Sequence, residues 1–346
     1  MHIAEFDYDL PEELIAQYPL SRRDASRMLI IDRQNKTWHD SEFSELPNYL
    51  HPGDVLVLNN TRVFSARLKG TRIPSGGTVE VLLLREKEGG VWEALCKPGR
   101  RMKNGAVICF GESQLRAEVI DSLGGGRRLI RFDAATDLDD LIEEIGQPPL
   151  PPYIKRAGRS IDDDRARYQT VYAKTRGAIA APTAGLHFTP AILDDIRARD
   201  VSIAEITLHV GYGTFEPVHS QNVTEHRVGP EQFAISEGAA AAINRRRSAG
   251  GRLFAVGTTT TRALESSVTN GGCIAASSYG DTNITILRGH NFVAVDALLT
   301  NFHLPRSSLL IMVSAFAGRE LILGAYRHAV EKKYRFYSYG DCMLIL

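Results

Sequence analysis

RLKGTRI (67–73), TVEVLLLRE (78–86), VWEALCKPG (91–99), AVICF (106–110), LRAEVIDSL (115–123) and RRLIRFD (127–133) follow one another, broken at SGG (75–77), EGG (88–90), KNG (103–105) and GGG (124–126). Short runs rich in apolar residues and bounded by glycine turns read as strands. Six of them so closely spaced predict a small antiparallel barrel. Between Arg62 and Arg131 fourteen Arg or Lys stand against seven Asp or Glu, so this segment carries an excess of positive charge. The acidic pattern DLDDLIEEI (137–145) then predicts a helix, and the proline-rich QPPLPPYI (147–154) reads as a crossing between domains.

On the amino-terminal side, LPEELIAQY (10–18) has Pro11 and acidic residues where a helix would begin, which predicts a helix there. RMLIID (27–32) and GDVLVLNNTRV (53–63) read as buried strands, the second ending in a polar turn. On the carboxyl-terminal side, apolar runs alternate with helical patterns: GAIAAPT (177–183), TPAILDDIRARD (189–200), VSIAEITLHVG (201–211), EGAAAAINRRRSAG (237–250), RLFAVGTTT (252–260) and RALESSV (262–268). Such alternation predicts an α/β layer with a largely parallel sheet. The expected architecture is α/β: one domain built from both chain ends (1–61 and 153–346) around an inserted six-stranded barrel (62–152).

With 346 residues, 43% hydrophobic and 24% charged, the chain is long enough for two domains. The 41 basic and 41 acidic residues cancel, which excludes a polyanion binder held by bulk charge and directs attention to local clusters. Cys96, Cys109, Cys273 and Cys342 form no paired motif, so neither a disulfide framework nor a thiolate zinc site is signalled. The acidic start MHIAEFDYDLPEE lacks the pattern of an export signal. The longest apolar stretch, LLIMVSAFA (309–317), is far short of the roughly 20 residues that span a bilayer. The expectation is a cytoplasmic protein with no membrane partner.

Three histidines stand between apolar neighbours beside turn residues: His187 in GLHFT, His209 in TLHVG and His303 in NFHLP. An imidazole exchanges protons near neutral pH, which makes the three candidates for acid/base work. Each alone also fits a satisfied core histidine, and the three together also fit a zinc site, although no spaced metal motif such as HExxH is present. VGTTTTRALES (256–266) places hydroxyl residues at a helix start, where backbone amides hold anions; helix capping is the competing account. Arg262 in that first turn is disfavoured by the helix dipole and is expected to face a carboxylate or phosphate. HVGYGTF (209–215) supplies glycines for close approach and the aromatics Tyr212 and Phe215. Lys97, Arg100, Arg101 and Lys103 in KPGRRMK cluster as phosphate contacts require, with a solvated loop as the alternative. Arg245 to Arg247 end a helix and read as compensation of its dipole.

Taken together, FDYDLPEELIAQYPL (6–20), NNTRVFSARL (59–68), KPGRRMKNG (97–105), RYQTVYA (167–173), APTAGLHFT (181–189), TLHVGYGTFEPV (207–218), AVGTTTTRALES (255–266), VDALLTNFHLP (295–305) and YRFYSYGDCMLI (334–345) carry a resemblance. The chain resembles the S-adenosylmethionine:tRNA ribosyltransferase-isomerase family of queuosine biosynthesis over essentially its whole length. Two departures stand out: Gly229 in EHRVGPEQF replaces a histidine frequent in the family, and LRGHNF (287–292) differs from a proline-glycine-tyrosine form.

The resemblance implies the same two-domain architecture, no resident cofactor and no metal. S-adenosylmethionine is then the co-substrate, giving up its ribosyl group. The implied partner is tRNA carrying 7-aminomethyl-7-deazaguanine at the wobble position, converted to epoxyqueuosine with release of adenine and methionine. On this expectation His187 or His209 is the base and Glu205 or His303 the proton donor to adenine. Thr258, Thr259, Thr260 and Arg262 hold the methionine carboxylate, while Tyr212, Gly213, Thr214 and Phe215 form the loop around the sulfonium. Lys97, Arg100, Arg101 and Lys103 bind the tRNA, and the chain is expected to act as a monomer. A tRNA-binding module without catalysis and a metal-dependent hydrolase are the competing classes, distinguished by consumption of S-adenosylmethionine and by sensitivity to chelator.

Overall fold

Alternating side-chain direction along each strand decides which residues meet in the two cores. The computed structural model describes residues 1–111, 115–133, 137–156, 161–211, 218 and 220–346. In chain order the elements are β1 (Arg27–Asp32), β2 (Thr37–Glu42), β3 (Val55–Asn59), β4 (Thr61–Val63), β5 (Arg67–Ile73), β6 (Thr78–Glu86), β7 (Val91–Lys97), β8 (Val107–Phe110), β9 (Leu115–Gly124) and β10 (Arg127–Asp133). There follow α1 (Leu138–Ile145), α2 (Ile161–Arg167), β11 (Thr175–Ala178), α3 (Pro190–Ala198), β12 (Ser202–Leu208), β13 (Glu231–Ile235), α4 (Glu237–Ser248), β14 (Leu253–Val256) and α5 (Thr258–Ser266). The chain closes with β15 (Ser277–Thr282), β16 (Ala297–Asn301), α6 (Ser308–Ala317), α7 (Arg319–Glu331) and β17 (Cys342–Ile345).

The six strands read from 67–133 form a closed barrel in the order β10-β7-β6-β5-β8-β9, every neighbouring pair antiparallel. Along β7 the pattern is strict: Trp92, Ala94 and Cys96 are buried in the barrel with Val81, Ile108, Val119 and Ile130. The amphipathic α1, capped by the Asp137 carboxylate, adds Ile142 to this core.

Both chain ends build a nine-stranded sheet in the order β15-β13-β12-β3-β14-β16-β17-β1-β2. Its central strands are buried on both faces. Leu29, Val55, Val57, Leu253 and Ala255 meet α4 to α7, whereas Met28, Leu56, Leu58, Phe254 and Val256 meet α3 and the short helical turns around Phe43 and Ala184. Burial on both faces explains why these strands read as continuous apolar runs. The sheet is mixed rather than largely parallel: β12, β3, β14 and β16 are parallel neighbours, but β13, β15 and β2 are attached antiparallel, and β17 returns antiparallel to β16.

The helix expected over 10–18 is reduced to a single 3-10 turn at Glu12–Leu14. The chain is diverted because the Ala16 N–H donates to the Phe336 carbonyl at 3.1 Å and the Phe336 N–H donates to the Leu14 carbonyl at 2.8 Å. Tertiary pairing outweighs a modest local helix preference. No single described helix is long and apolar enough to cross a membrane, and α6 and α7 bend by 117° at their junction.

Candidate functional site

Because β12, β3, β14 and β16 run parallel, their carboxyl ends share one edge, the usual place for a ligand crevice in an open α/β sheet. A cleft of about 540 Å³ opens there, lined by Ala180 to Ala184, Val210, Gly257 to Thr259, Thr300 to His303 and the aromatic side chains Tyr153 and Tyr337. It adjoins an apolar lobe of about 460 Å³ between α5, α6 and the segment 284–287, and both are lined by Thr258, Thr259 and Leu309.

The start of α5 is not capped by a threonine. Gly257, at φ +92, is the N-cap and offers no side chain, while Thr260 donates back to the Val256 carbonyl at 2.6 Å and Thr261 to the Gly257 carbonyl at 3.2 Å. Among the described residues the first amides of α5 therefore lack a side-chain cap, and Thr258 and Thr259 stand in the cleft wall where an anion would be held. Arg262 does face a carboxylate, as the dipole argument expects, but it is the protein's own. Its guanidinium pairs with Glu231, donates from Nε to the Ile284 carbonyl at 3.1 Å, and is almost fully buried with its partner. Arg262 lines the apolar lobe with this charge already matched, so a role as a free clamp for the methionine carboxylate does not fit the geometry.

The three histidines do not converge. His187 donates from Nε2 to the Asn301 side-chain oxygen at 3.2 Å and accepts at Nδ1 from the Ser26 hydroxyl at 2.9 Å. The roles follow because the Asn301 amide nitrogen donates to the Tyr337 carbonyl at 2.8 Å, leaving its oxygen to accept. With both ring nitrogens engaged in the core, His187 orients Asn301 and the 337–338 backbone rather than presenting a free base. Burial pushes its pKa down to about 4, against the partly compensating Asn301 bond. His303 lines the cleft and is buried. The Tyr326 hydroxyl accepts from its backbone N–H and so donates to Nδ1, both at 3.1 Å, which leaves the proton on Nε2 near the Thr300 hydroxyl. Burial pushes the His303 pKa down to about 3.

Neutral buried histidines make the fold acid-sensitive. Their folded pKa values lie below the unfolded value near 6.5, so their contribution is complete above pH 6.5 and is lost as pH falls toward 4 for His187 and 3 for His303. Unfolding by urea is expected to give a stability at pH 5 lower than at pH 7 by about 2 kcal/mol per histidine. A flat profile over that interval would show that one or both rings are hydrated.

His209 is half-buried at the end of β12, and burial lowers its pKa. Its Nδ1 lies 2.8 Å from the Thr61 hydroxyl, and its ring rests on Gly177, where a Cβ would come within 2.6 Å of it. Glu205, Thr207 and His209 alternate along one face of β12 against β4 and β11. Glu205 is paired there with Lys174 at 2.7 Å and accepts from Asn60 at 3.2 Å. The candidate catalytic residues thus divide: His303 is in the cleft, whereas Glu205 and His209 form a polar face where the sheet approaches the barrel. Among the described residues no group of three or more His, Cys, Asp or Glu is arranged to hold a metal.

Tyr212, Gly213, Thr214 and Phe215 lie outside the described residues. Lys97, Arg100, Arg101 and Lys103 are all exposed on the barrel around the turn Gly99–Arg101, and none has an ion-pair partner among the described residues. Gly229 is exposed, with nothing within 4 Å of a Cβ placed there. Sequence reasoning missed Tyr153, Thr300, Asn301, Tyr337 and Ser338. Tyr153 sits in the proline-rich crossing and the 337–338 pair in YRFYSYGD, two stretches whose aromatics were the available signal. The Tyr153 and Tyr337 rings are 4.1 Å apart, edge to face.

Residues 3–345 match the family described as queuosine biosynthesis protein. Proteins named S-adenosylmethionine:tRNA ribosyltransferase-isomerase from Moorella thermoacetica and Heliobacterium modesticaldum are 52% and 49% identical, over all of this chain and all of theirs. A crystal structure of S-adenosylmethionine tRNA ribosyltransferase from Thermotoga maritima is 35% identical, covers 99% of this chain and 100% of its own, and superimposes with a TM-score of 0.55. With an inserted barrel, an uncapped helix start in a crevice at the strand ends, and likeness along its full length, the chain belongs to the S-adenosylmethionine:tRNA ribosyltransferase-isomerase family of queuosine biosynthesis.

Proposed function

We propose that the chain transfers the ribosyl part of S-adenosylmethionine to the aminomethyl group of 7-aminomethyl-7-deazaguanine at the wobble position of tRNA and rearranges it to epoxyqueuosine, releasing adenine and methionine. The observation that carries this reading is the two-lobed cleft at the start of α5. One lobe is apolar, the other offers helix amides with no side-chain cap and two tyrosine rings, and cations that are exposed and without ion pairs among the described residues stand on the barrel. In this reading the amides of Thr258 to Thr260 hold the methionine carboxylate. Among the described residues, Tyr153 and Tyr337 are the aromatic neighbours of the sulfonium.

The sulfonium acidifies the adjacent ribose methylene, so a positioned base starts ring opening with loss of adenine. His209 suits that role better than His187, because it is only half-buried, has one nitrogen tied to Thr61 and directly precedes Val210 of the cleft wall. The proton taken by the base is passed to the departing adenine, which His303 holds with its Nε2–H, so that adenine leaves neutral; Glu205, neutralised by Lys174, helps fix the face on which His209 stands. The acceptor amine then adds to the opened sugar, and methionine departs as the epoxide closes. We further propose division at residues 62 and 152, a monomeric state and a cytoplasmic location. The first rests on the barrel lying wholly within that interval.

His209→Gln is expected to slow single-turnover release of adenine about a hundredfold with little change in affinity for S-adenosylmethionine. Gly177→Ala, which pushes the ring aside, is expected to slow it in the same direction. An unchanged rate in both variants would remove His209 from the chemistry.

A further inference from the structure

A cavity of about 960 Å³ lies between the end of α6, the start of α7 and the turn joining β1 to β2. It is separate from the cleft at the strand ends and meets the apolar lobe at Ile311. Four basic residues, Arg33, Lys36, Arg288 and Arg319, line it, together with the carboxylate of Glu320. Two of the cations already have hydrogen-bonding or ion-pair partners. Arg33 donates to the carbonyls of Leu346, Phe316 and Asp296, and Arg319 pairs with Glu5. Lys36 and Arg288 are exposed and have no ion-pair or hydrogen-bond partner among the described residues.

Two further observations point to an anion. The thirteen-residue α7 begins at Gly318, an N-cap with φ +92 and no side chain to satisfy the first amides, and residues 318–321 all line the cavity. Ser314, also in the lining, is 95% buried and its hydroxyl has no hydrogen-bond partner among the described residues. A buried orphan hydroxyl carries a desolvation cost unless a ligand meets it. The carboxyl end of α6 also approaches, but the Ser314 carbonyl there is satisfied by the Gly318 N–H at 2.9 Å. The net presentation is two free cations, free helix amides and a free hydroxyl donor, opposed by one carboxylate.

We propose that this cavity is a second anion site that binds a phosphate group through Ser314, the start of α7, Lys36 and Arg288. A phosphodiester of a nucleic-acid backbone and a small free phosphate share this chemistry. The site does not depend on the reaction proposed above, so it is tested without turnover. Inorganic phosphate is titrated into the full-length chain by calorimetry at low ionic strength, using the unaltered protein, Ser314→Ala and the double variant Lys36→Glu/Arg288→Glu. Saturable binding is expected, about threefold weaker without the hydroxyl and more than about tenfold weaker with both cations reversed. Equal melting temperatures would show that all three are folded. The same variants are then titrated with tRNA. Parallel losses identify the nucleic-acid backbone as the source, and loss for phosphate alone identifies a small phosphate. Absence of saturable phosphate binding, or equal binding by all three proteins, would overturn the proposal.

Discussion

Glu231→Ala is expected to destabilise the fold by about 3–5 kcal/mol, because it strands a guanidinium in the interior. Arg262 and Glu231 leave only 6% and 5% of their side chains exposed, and the remaining Arg262 donors reach the carbonyls of Ile284 and Thr282, which carry no formal charge. The loss has a functional side as well. Glu231 accepts from the Gly211 N–H at 3.3 Å, so one carboxylate ties α5 to the beginning of the glycine-rich segment. Urea unfolding at pH 7 measures the stability change, and Glu231→Gln is expected to lie between the two. A change below about 1 kcal/mol, in the range of exposed ion pairs, would mean that water reaches the guanidinium.

Replacing Lys97, Arg100, Arg101 and Lys103 together by alanine is expected to weaken tRNA binding about a thousandfold at 0.1 M salt, with the deficit fading toward 1 M. Each cation that neutralises a phosphate releases counterions, so removing four should reduce the salt slope by about 3. The four side chains are exposed and form no ion pairs among the described residues, and the barrel core below them is untouched. Stability and the affinity for S-adenosylmethionine should therefore stay the same. Filter binding of tRNA across a salt series reads both quantities. An unchanged slope would show that the cluster is a solvated loop and that the tRNA lies elsewhere.

How legible each part was depended on the range of the interactions involved. The barrel could be read because each of its strands announces itself locally, by alternation in runs such as VWEALCK and by glycine turns. The parallel centre was legible for a related reason: VLVLN and LFAV are apolar on both faces. The mixed edges were not. The exposed β2, TWHDSE, has no buried face, and β17 joins β1 across more than three hundred residues. The helix expected at 10–18 failed for the same reason, since its fate is set by Phe336.

Thr258, Thr259 and His303 were singled out from local motifs at strand ends, and the structure puts all three in the cleft wall. The pairing of Arg262 was foreseen in kind but not in partner, because Glu231 lies thirty-one residues away at the start of β13. Three histidines in similar local settings received three different environments, and only the fold distinguishes a positioning ring at His187 from a half-buried one at His209. Tyr153 and Tyr337 come from opposite ends of the α/β portion, so no spacing in the sequence joins them.

The most direct test of the central claim is mass spectrometry of tRNA bearing 7-aminomethyl-7-deazaguanine after incubation with the purified protein and S-adenosylmethionine labelled in its ribose. The account predicts label in the wobble nucleoside, with adenine and methionine released in equal amounts. Methyl transfer without ribose label, or tRNA binding with no consumption of S-adenosylmethionine, would contradict it.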